Sequence, residues 1–281
     1  MKLCRYGKPG YEKPGMIDDE GKLRDLSKIV DNIGPNEISP RGLKMLTRLK
    51  PESLPLVNGT PRYGVPYVGI GKFVAIGLNY SDHAKEAGMP LPSEPIVFMK
   101  ATTCISGPSD DVIQPKGSTK LDWEVELGVV IGTTARYVDE ASALNHVAGY
   151  CIVNDVSERA FQMATSQWDK GKGFDTAGPI GPWLVTTDEI RDPQTLDMTL
   201  EVNGKTMQSG NTRTMVFNVA KLISHVSQYM SLLPGDIIAT GTPPGVGLGM
   251  KPPVFLKPGD VMRLTIAGLG EQKQRVVAYS A

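Results

Sequence analysis

Cysteine is scarce in this 281-residue chain, and its three copies, Cys4, Cys104 and Cys151, are far apart and lack metal-type spacing. They cannot supply a disulfide framework, which points to a reducing compartment. Long apolar runs are missing as well, and none approaches the ~18 residues of a membrane span. The N-terminus, Met1-Lys2-Leu3-Cys4-Arg5, has no apolar signal-peptide core. The expectation is a cytoplasmic protein without a membrane partner. Neither charge sign is in excess, since 30 Lys and Arg balance 30 Asp and Glu. That removes the electrostatic case for nucleic acid. Residues 240–249 are glycine-rich, but they lack the lysine of a P-loop and the following helix of a dinucleotide fingerprint.

Glycine and proline are plentiful, at 31 and 22, which favours many strands and turns over long helices. Residues 1–68 read as a small N-terminal α+β domain with a proline-rich linker or arm over 50–68, and 69–281 as the main domain. Ser39-Pro40 is a helix start, with serine as cap and proline in the first turn. Asn203-Gly204 is a hairpin signal. Residues 216–233 have helical spacing, with Val219, Leu222, Ile223 and Val226 on one face. His225 beside that face reads as structural, and His146 is assigned no role.

The chemistry concentrates in residues 122–131 and 147–155. Trp123, Val125, Leu127 and Val129 alternate with Asp122, Glu124, Glu126 and Gly128, which predicts one strand with an apolar face and a face that begins with three carboxylates. Carboxylates are depleted in strands and repel when stacked. A divalent cation held by oxygen ligands would compensate them. A second apolar strand, 147–153, ends in Asn154-Asp155, where a third ligand can be delivered. The alternative is the wet face of an ordinary amphipathic strand. The run Val129-Val130-Ile131 argues against it, because a strand buried on both faces must find partners for its acids.

Three further groups stand out. His83 and Glu86 share one face of a short helix over 81–88 and suit the activation of water; the alternative is a solvated histidine beside a surface acid. Arg159 and Gln162 have the same i, i+3 spacing. Lys172 lies in a glycine-bracketed basic loop and matters only if it approaches the acids. Residues 240–249, with Thr242, offer backbone amides to an anionic substrate, or else form a flexible surface loop.

Taken together, Gly77-Leu78-Asn79-Tyr80-Ser81-Asp82-His83, Asp122-Trp123-Glu124-Val125-Glu126-Leu127, Gly149-Tyr150-Cys151-Ile152-Val153-Asn154-Asp155-Val156-Ser157-Glu158-Arg159, Lys170-Gly171-Lys172-Gly173-Phe174-Asp175 and Thr240-Gly241-Thr242-Pro243 resemble the fumarylacetoacetate hydrolase family in family order, over about 70–275. The resemblance implies a mainly β fold with some α, a mixed β-sandwich roll, usually a homodimer that binds Mg²⁺ or Mn²⁺. It places metal ligands at Glu124, Glu126 and Asp155, a water-activating dyad at His83 and Glu86, a lysine at Lys172 and substrate contacts at Arg159, Gln162 and Thr242. Asp122 matches no ligand and is placed beside them. The implied substrate is a small 2-oxo acid with a second carbonyl at C4, cleaved by hydrolysis of the C3–C4 bond. The N-terminal run Arg5-Tyr6-Gly7-Lys8-Pro9-Gly10 resembles bacterial sugar-acid enzymes, including hydrolases of 2,4-diketo-3-deoxy acids of the L-rhamnonate and L-fuconate forms. Oxaloacetate-type decarboxylation, tautomerisation and ureidoglycolate cleavage are alternatives at the same site. A non-catalytic, metal-stabilised binding protein is the alternative outside enzymes.

Overall fold

A computed structural model describes residues 1–86 and 88–280, and Ala87, within the stretch read as a helix, lies outside the described residues. The chain is mainly β, with short helices. Among the described residues, strands build a ten-stranded sheet, a five-stranded sheet and a two-stranded one. The large sheet runs Leu23–Asp25, Lys13–Ile17, Lys2–Tyr6, Gly178–Thr186, Val147–Asn154, Val125–Ile131, Ile237–Ala239, Phe73–Gly77, Ile96–Lys100, with Ile105–Ser106 beside Gly178–Thr186. Residues 1–25 therefore extend the sheet that carries the acidic strand, through the antiparallel pairing of Lys2–Tyr6 with Gly178–Thr186. No helix among the described residues is long and apolar enough to cross a membrane.

Every residue of Val125–Ile131 and of Val147–Asn154 is buried. The wet-face alternative for Glu124 and Glu126 is thereby excluded: they are 6% and 2% exposed. The five-stranded sheet packs on the face of Val125 and Asn154, where Asn154 Nδ2 donates to Gln274 Oε1 at 3.1 Å, and buried glutamines join the two layers. Gln272 Nε2 donates to Ile152 O at 2.8 Å, and Gln208 Oε1 accepts from Val125 N at 2.9 Å. A side-chain amide both donates and accepts, so it can serve irregular backbone where no strand is available.

Two expectations need correction. The strand predicted from Asp122 is broken: Leu121–Asp122 pairs with Ser157–Glu158, and the long strand starts only at Val125. At the break, side chains replace the ladder. Trp123 N donates to Asp122 Oδ1 at 2.9 Å, and Glu124 N to Asn154 Oδ1 at 3.3 Å. The helix read over 216–233 is confined to Val219–Ser227. Asn218 caps it, accepting from Lys221 N at 2.8 Å, while Val216 N and Phe217 N are taken by Asn79 at 2.7 and 2.9 Å. Beyond Ser227, Leu232 bridges to Ala135. The Ser39-Pro40 start holds, with Ser39 Oγ accepting from Gly42 N at 3.1 Å. So does the Asn203-Gly204 turn, where both residues have positive φ between paired strands.

The N-terminal hairpin is tied to the rest by charge. Arg62 reaches Glu12 at 3.0 Å and Asp110 at 2.5 Å, and Arg5 reaches Glu12 at 3.3 Å. Burial alone would raise the Glu12 carboxyl; hydrogen bonding from Arg62 and the charges of Arg5 and Arg62 outweigh it and hold it below the usual glutamate range. A depressed carboxyl contributes stability that is present above its unfolded value and lost as pH falls through the folded one. Glu12→Gln should therefore cost on the order of 1 kcal/mol at pH 7 after solvent screening. The difference in Tm between wild type and variant should vanish in strong acid. A difference that is independent of pH would show that packing, not charge, is lost.

Candidate active site

The register of the large sheet gathers the acids. Val147–Asn154 runs antiparallel to Val125–Ile131, with Val153 opposite Glu126 and Asn154 opposite Val125. Asp155, one residue on, donates its N–H to Glu124 O at 2.9 Å. Phe73–Gly77 and Ile237–Ala239 are parallel, and the latter is antiparallel to Val125–Ile131. Their C-terminal ends therefore deliver the helix Ser81–Glu86 and the loop 240–249 to the edge where the acids lie.

One oxygen each from Glu124, Glu126 and Asp155 fall within 4.8 Å of one another. Cations surround two of the three. Glu124 meets Arg159 Nη2 at 2.7 Å and Lys172 Nζ at 2.6 Å. Asp155 meets Lys172 Nζ at 2.6 Å and Lys100 Nζ at 2.5 Å. Burial would raise the Glu124 carboxyl, but Lys172 and then Arg159 outweigh it and hold it at about 2. Burial would lower the Lys172 ammonium, but Asp155 and Glu124 raise it above the ordinary lysine value.

Glu126 is different. It forms no ion pair among the described residues, and its Oε2 accepts only from Gly241 N, at 2.8 Å. Burial, then the charges of Asp155 and Glu124, push it well above the usual glutamate value. With Asp122 included, four acids face three cations, Lys100, Arg159 and Lys172, and Glu126 is the acid left without one. Three convergent carboxyls, one of them buried without a counter-cation and held toward its neutral form until an ion displaces its proton, are the donor set that a hard divalent cation takes. The residues fit such an ion.

His83 and Glu86 lie on the helix Ser81–Glu86, with His83 Nδ1 3.0 Å from Glu86 Oε2. An ionised carboxylate can only accept, so Nδ1 is the donor and Nε2 the basic nitrogen. Glu86 Oε1 in turn accepts from Gly245 N at 3.0 Å. His83, Glu86, Glu124, Glu126, Arg159, Gln162, Lys172 and Thr242 line one cavity of about 410 Å³. Of the nine site residues expected from sequence, eight share this cavity, and the ninth, Asp155, completes the acid cluster.

The reading of loop 240–249 needs correction. Four of its amides are committed to protein carboxylates: Gly241 N to Glu126, Gly245 N to Glu86, and Gly247 N and Leu248 N to Asp122 at 2.7 and 2.9 Å. They do not await an anionic substrate, and the loop is not a free surface segment. Gly245 has φ +104°, and a Cβ there would lie 1.9 Å from Met207 O; no other residue fits. Thr242 is equally engaged, donating to Val125 O and accepting from Gln208 Nε2, both at 2.8 Å. Arg159 donates from Nε to Asp122 and from Nη1 to Gln162, and its Nη2 lies 2.9 Å from Asp122 and 2.7 Å from Glu124. Lys172 lies on the short helix Asp169–Lys172 and is 2% exposed.

Sequence reasoning missed Lys100, and it placed Asp122 beside the acids without its partners. Lys100, 2% exposed, ends the strand Ile96–Lys100 and holds Asp155. A lysine closing an apolar strand was the available signal. Asp122 accepts from Arg159 Nε at 2.9 Å and from the two loop amides, joining both to the acids. Asp122→Ala strands all three donors, and should cost about 3–5 kcal/mol in urea unfolding. A loss below about 1 kcal/mol would show that water replaces the carboxylate.

Solved structures with this fold include hydrolases and isomerases. The chain belongs to the fumarylacetoacetate hydrolase family, whose C-terminal model matches residues 72–277. A fumarylacetoacetate hydrolase from Exiguobacterium antarcticum superposes with a TM-score of 0.90 at 37% identity, over 99% of this chain and 100% of that one. Maleylpyruvate hydrolase from Sphingobium sp. SYK-6, in complex with manganese(II) ion and pyruvate, gives a TM-score of 0.83 at 29% identity, over 100% of both chains. A Burkholderia multivorans protein named "Putative hydrolase" is 62% identical over 276 residues, 98% of each chain.

Proposed function

We propose that this chain is a divalent-metal-dependent hydrolase that cleaves the C3–C4 bond of a 2,4-diketo acid. The observation that carries this reading is the placement of the His83–Glu86 pair on the same cavity as Glu124, Glu126 and Lys172. Glu124, Glu126 and Asp155 would hold Mg²⁺ or Mn²⁺, which supplies Lewis-acid polarisation of the 2-oxo group when bound. The Mn²⁺- and pyruvate-bound relative supports both the ion and the product.

His83 Nε2 takes a proton from water, and the oxygen adds to C4. Glu86 stabilises the imidazolium through Nδ1, and Gly245 N holds Glu86 in place. Lys172, kept protonated by Glu124 and Asp155, stabilises the charge that develops on oxygen. The C3–C4 bond then breaks, its electron pair stays on C3, and C3 takes a proton to give pyruvate. The other half leaves as a carboxylic acid carrying the oxygen of water. Arg159 and Gln162 fix the acid cluster and one side of the cavity. Within this class the sequence resemblance puts a 2,4-diketo-3-deoxy sugar acid first, but the apolar wall of the cavity argues against a polyol tail.

The test is pyruvate release from an acylpyruvate, with Mn²⁺ and with chelator. Metal-dependent pyruvate with an equal amount of the second acid is expected, and His83→Ala should lower kcat by about 10²–10⁴. Pyruvate from oxaloacetate alone, or full activity in the variant, would overturn the reading. Loss of the fold on chelation without any turnover would favour a structural ion.

A further inference from the structure

The cavity has two unlike ends, and the second bears on the part of the substrate beyond C4. Its ionic end is the acid cluster, the dyad and Lys172. Facing it are Leu78, Met89, Phe98, Trp168, Leu248 and Met250. Phe98 marks the boundary. Lys172 Nζ lies 5.4 Å from the centre of its ring, and Trp168 meets the same ring edge-on at 5.3 Å. Trp168 is seated against the backbone of Gly77, where a Cβ would come within 2.5 Å of the indole. At the rim, Met89 and Leu248 are 50% and 38% exposed, large apolar side chains left open to water.

Polar side chains that could serve a hydroxylated tail are few, and apart from Gln162 Nε2 they are committed elsewhere. The Thr242 hydroxyl already donates and accepts, and Gln162 Oε1 accepts from Arg159 Nη1 at 3.1 Å. Among the described residues lining the apolar end, Lys251 is the one ionisable side chain, and it is exposed. A polyol tail would bring most of its hydroxyls out of water against methionine, leucine and aromatic carbon, with Gln162 Nε2 as one donor for several groups. An alkyl, alkenyl or aryl tail would instead cover the exposed rim side chains.

We infer that the preferred substrate carries an apolar acyl group at C4, packed against Phe98, Trp168, Leu248 and Met250. This rests on the C3–C4 hydrolysis reading and narrows it to a substrate class. Selectivity then comes from apolar contact on one side and from unpaired hydroxyls on the other. An apolar pocket rejects a hydroxyl less sharply than a polar site rejects its loss, so the expected ratio per tail is roughly 10².

The experiment measures kcat/KM by pyruvate release, with Mn²⁺, on three 2,4-dioxo acids. One has a methyl group beyond C4, one an unbranched alkyl or phenyl tail, and one a polyhydroxylated tail of matching carbon count. The apolar-tailed acid should exceed the polyol by roughly 10²-fold. Leu248→Asn should lower kcat/KM for the apolar tail several-fold more than for the methyl substrate, because only the longer tail reaches the rim. Cleavage of the methyl substrate together with equal or faster cleavage of the polyol would overturn the inference and leave C–C hydrolysis standing. No pyruvate from any of the three would overturn both. If Leu248→Asn fails to fold, Met89→Gln at the more exposed rim position carries the same comparison.

Discussion

Too many buried carboxylates in too little space is the constraint from which the rest of this structure follows. Asp122, Glu124, Glu126 and Asp155 are each 6% exposed or less. Two unit charges about 4 Å apart interact by about 4 kcal/mol at the effective dielectric of a protein. The fold answers with three buried cations drawn from distant parts of the chain, Lys100, Arg159 and Lys172. It stops one charge short, at Glu126. That unpaired acid, pushed toward its neutral form beside two more carboxylates with oxygens in reach, is free to exchange its proton for a divalent cation.

The glycine-rich loop is part of the same answer. An acid can be stabilised by backbone amides as well as by cations, provided the backbone can come close. Gly241, Gly245 and Gly247 bring it close, and each would place a Cβ within 3 Å of a neighbouring atom. The amides are divided among Glu126, Glu86 and Asp122, so one loop holds an acid of the cluster, the acid beside His83 and the anchor of Arg159. Trp123 closes the arrangement by donating from its indole to Gly245 O at 3.1 Å. The acid cluster and the His83–Glu86 pair therefore share a support.

Much of this is legible in the sequence where the pattern is local. Alternation around Glu124 and Glu126, the acid after an apolar strand at Asp155, and the i, i+3 spacing of His83 and Glu86 mark side chains that the fold brings together. The mainly β class follows from the turn residues, and the Ser39-Pro40 and Asn203-Gly204 signals hold because each is complete within a few residues. What escapes is non-local. The strand break at Trp123 depends on Asn154 and Gln208, 30 and 83 residues away from the amides they accept. The work of loop 240–249 depends on carboxylates 115 to 159 residues distant. Lys100 looks like an ordinary strand end until Asp155, 55 residues later, folds against it. The helix is shorter than the apolar spacing over 216–233, because Asn218 caps its start and Leu232 pairs with Ala135 beyond its end.

Glu126, the one acid of the cluster without a cation, is the position on which ion binding depends, and calorimetric titration of metal-free protein with Mn²⁺ measures that most directly. One ion per chain should bind, and Glu126→Gln, which removes the carboxyl while keeping the shape, should weaken binding by at least about 10², in line with the loss of a ligand's charge. Failure of the folded wild-type protein to bind Mn²⁺ or Mg²⁺, or equal affinity in Glu126→Gln, would contradict that dependence.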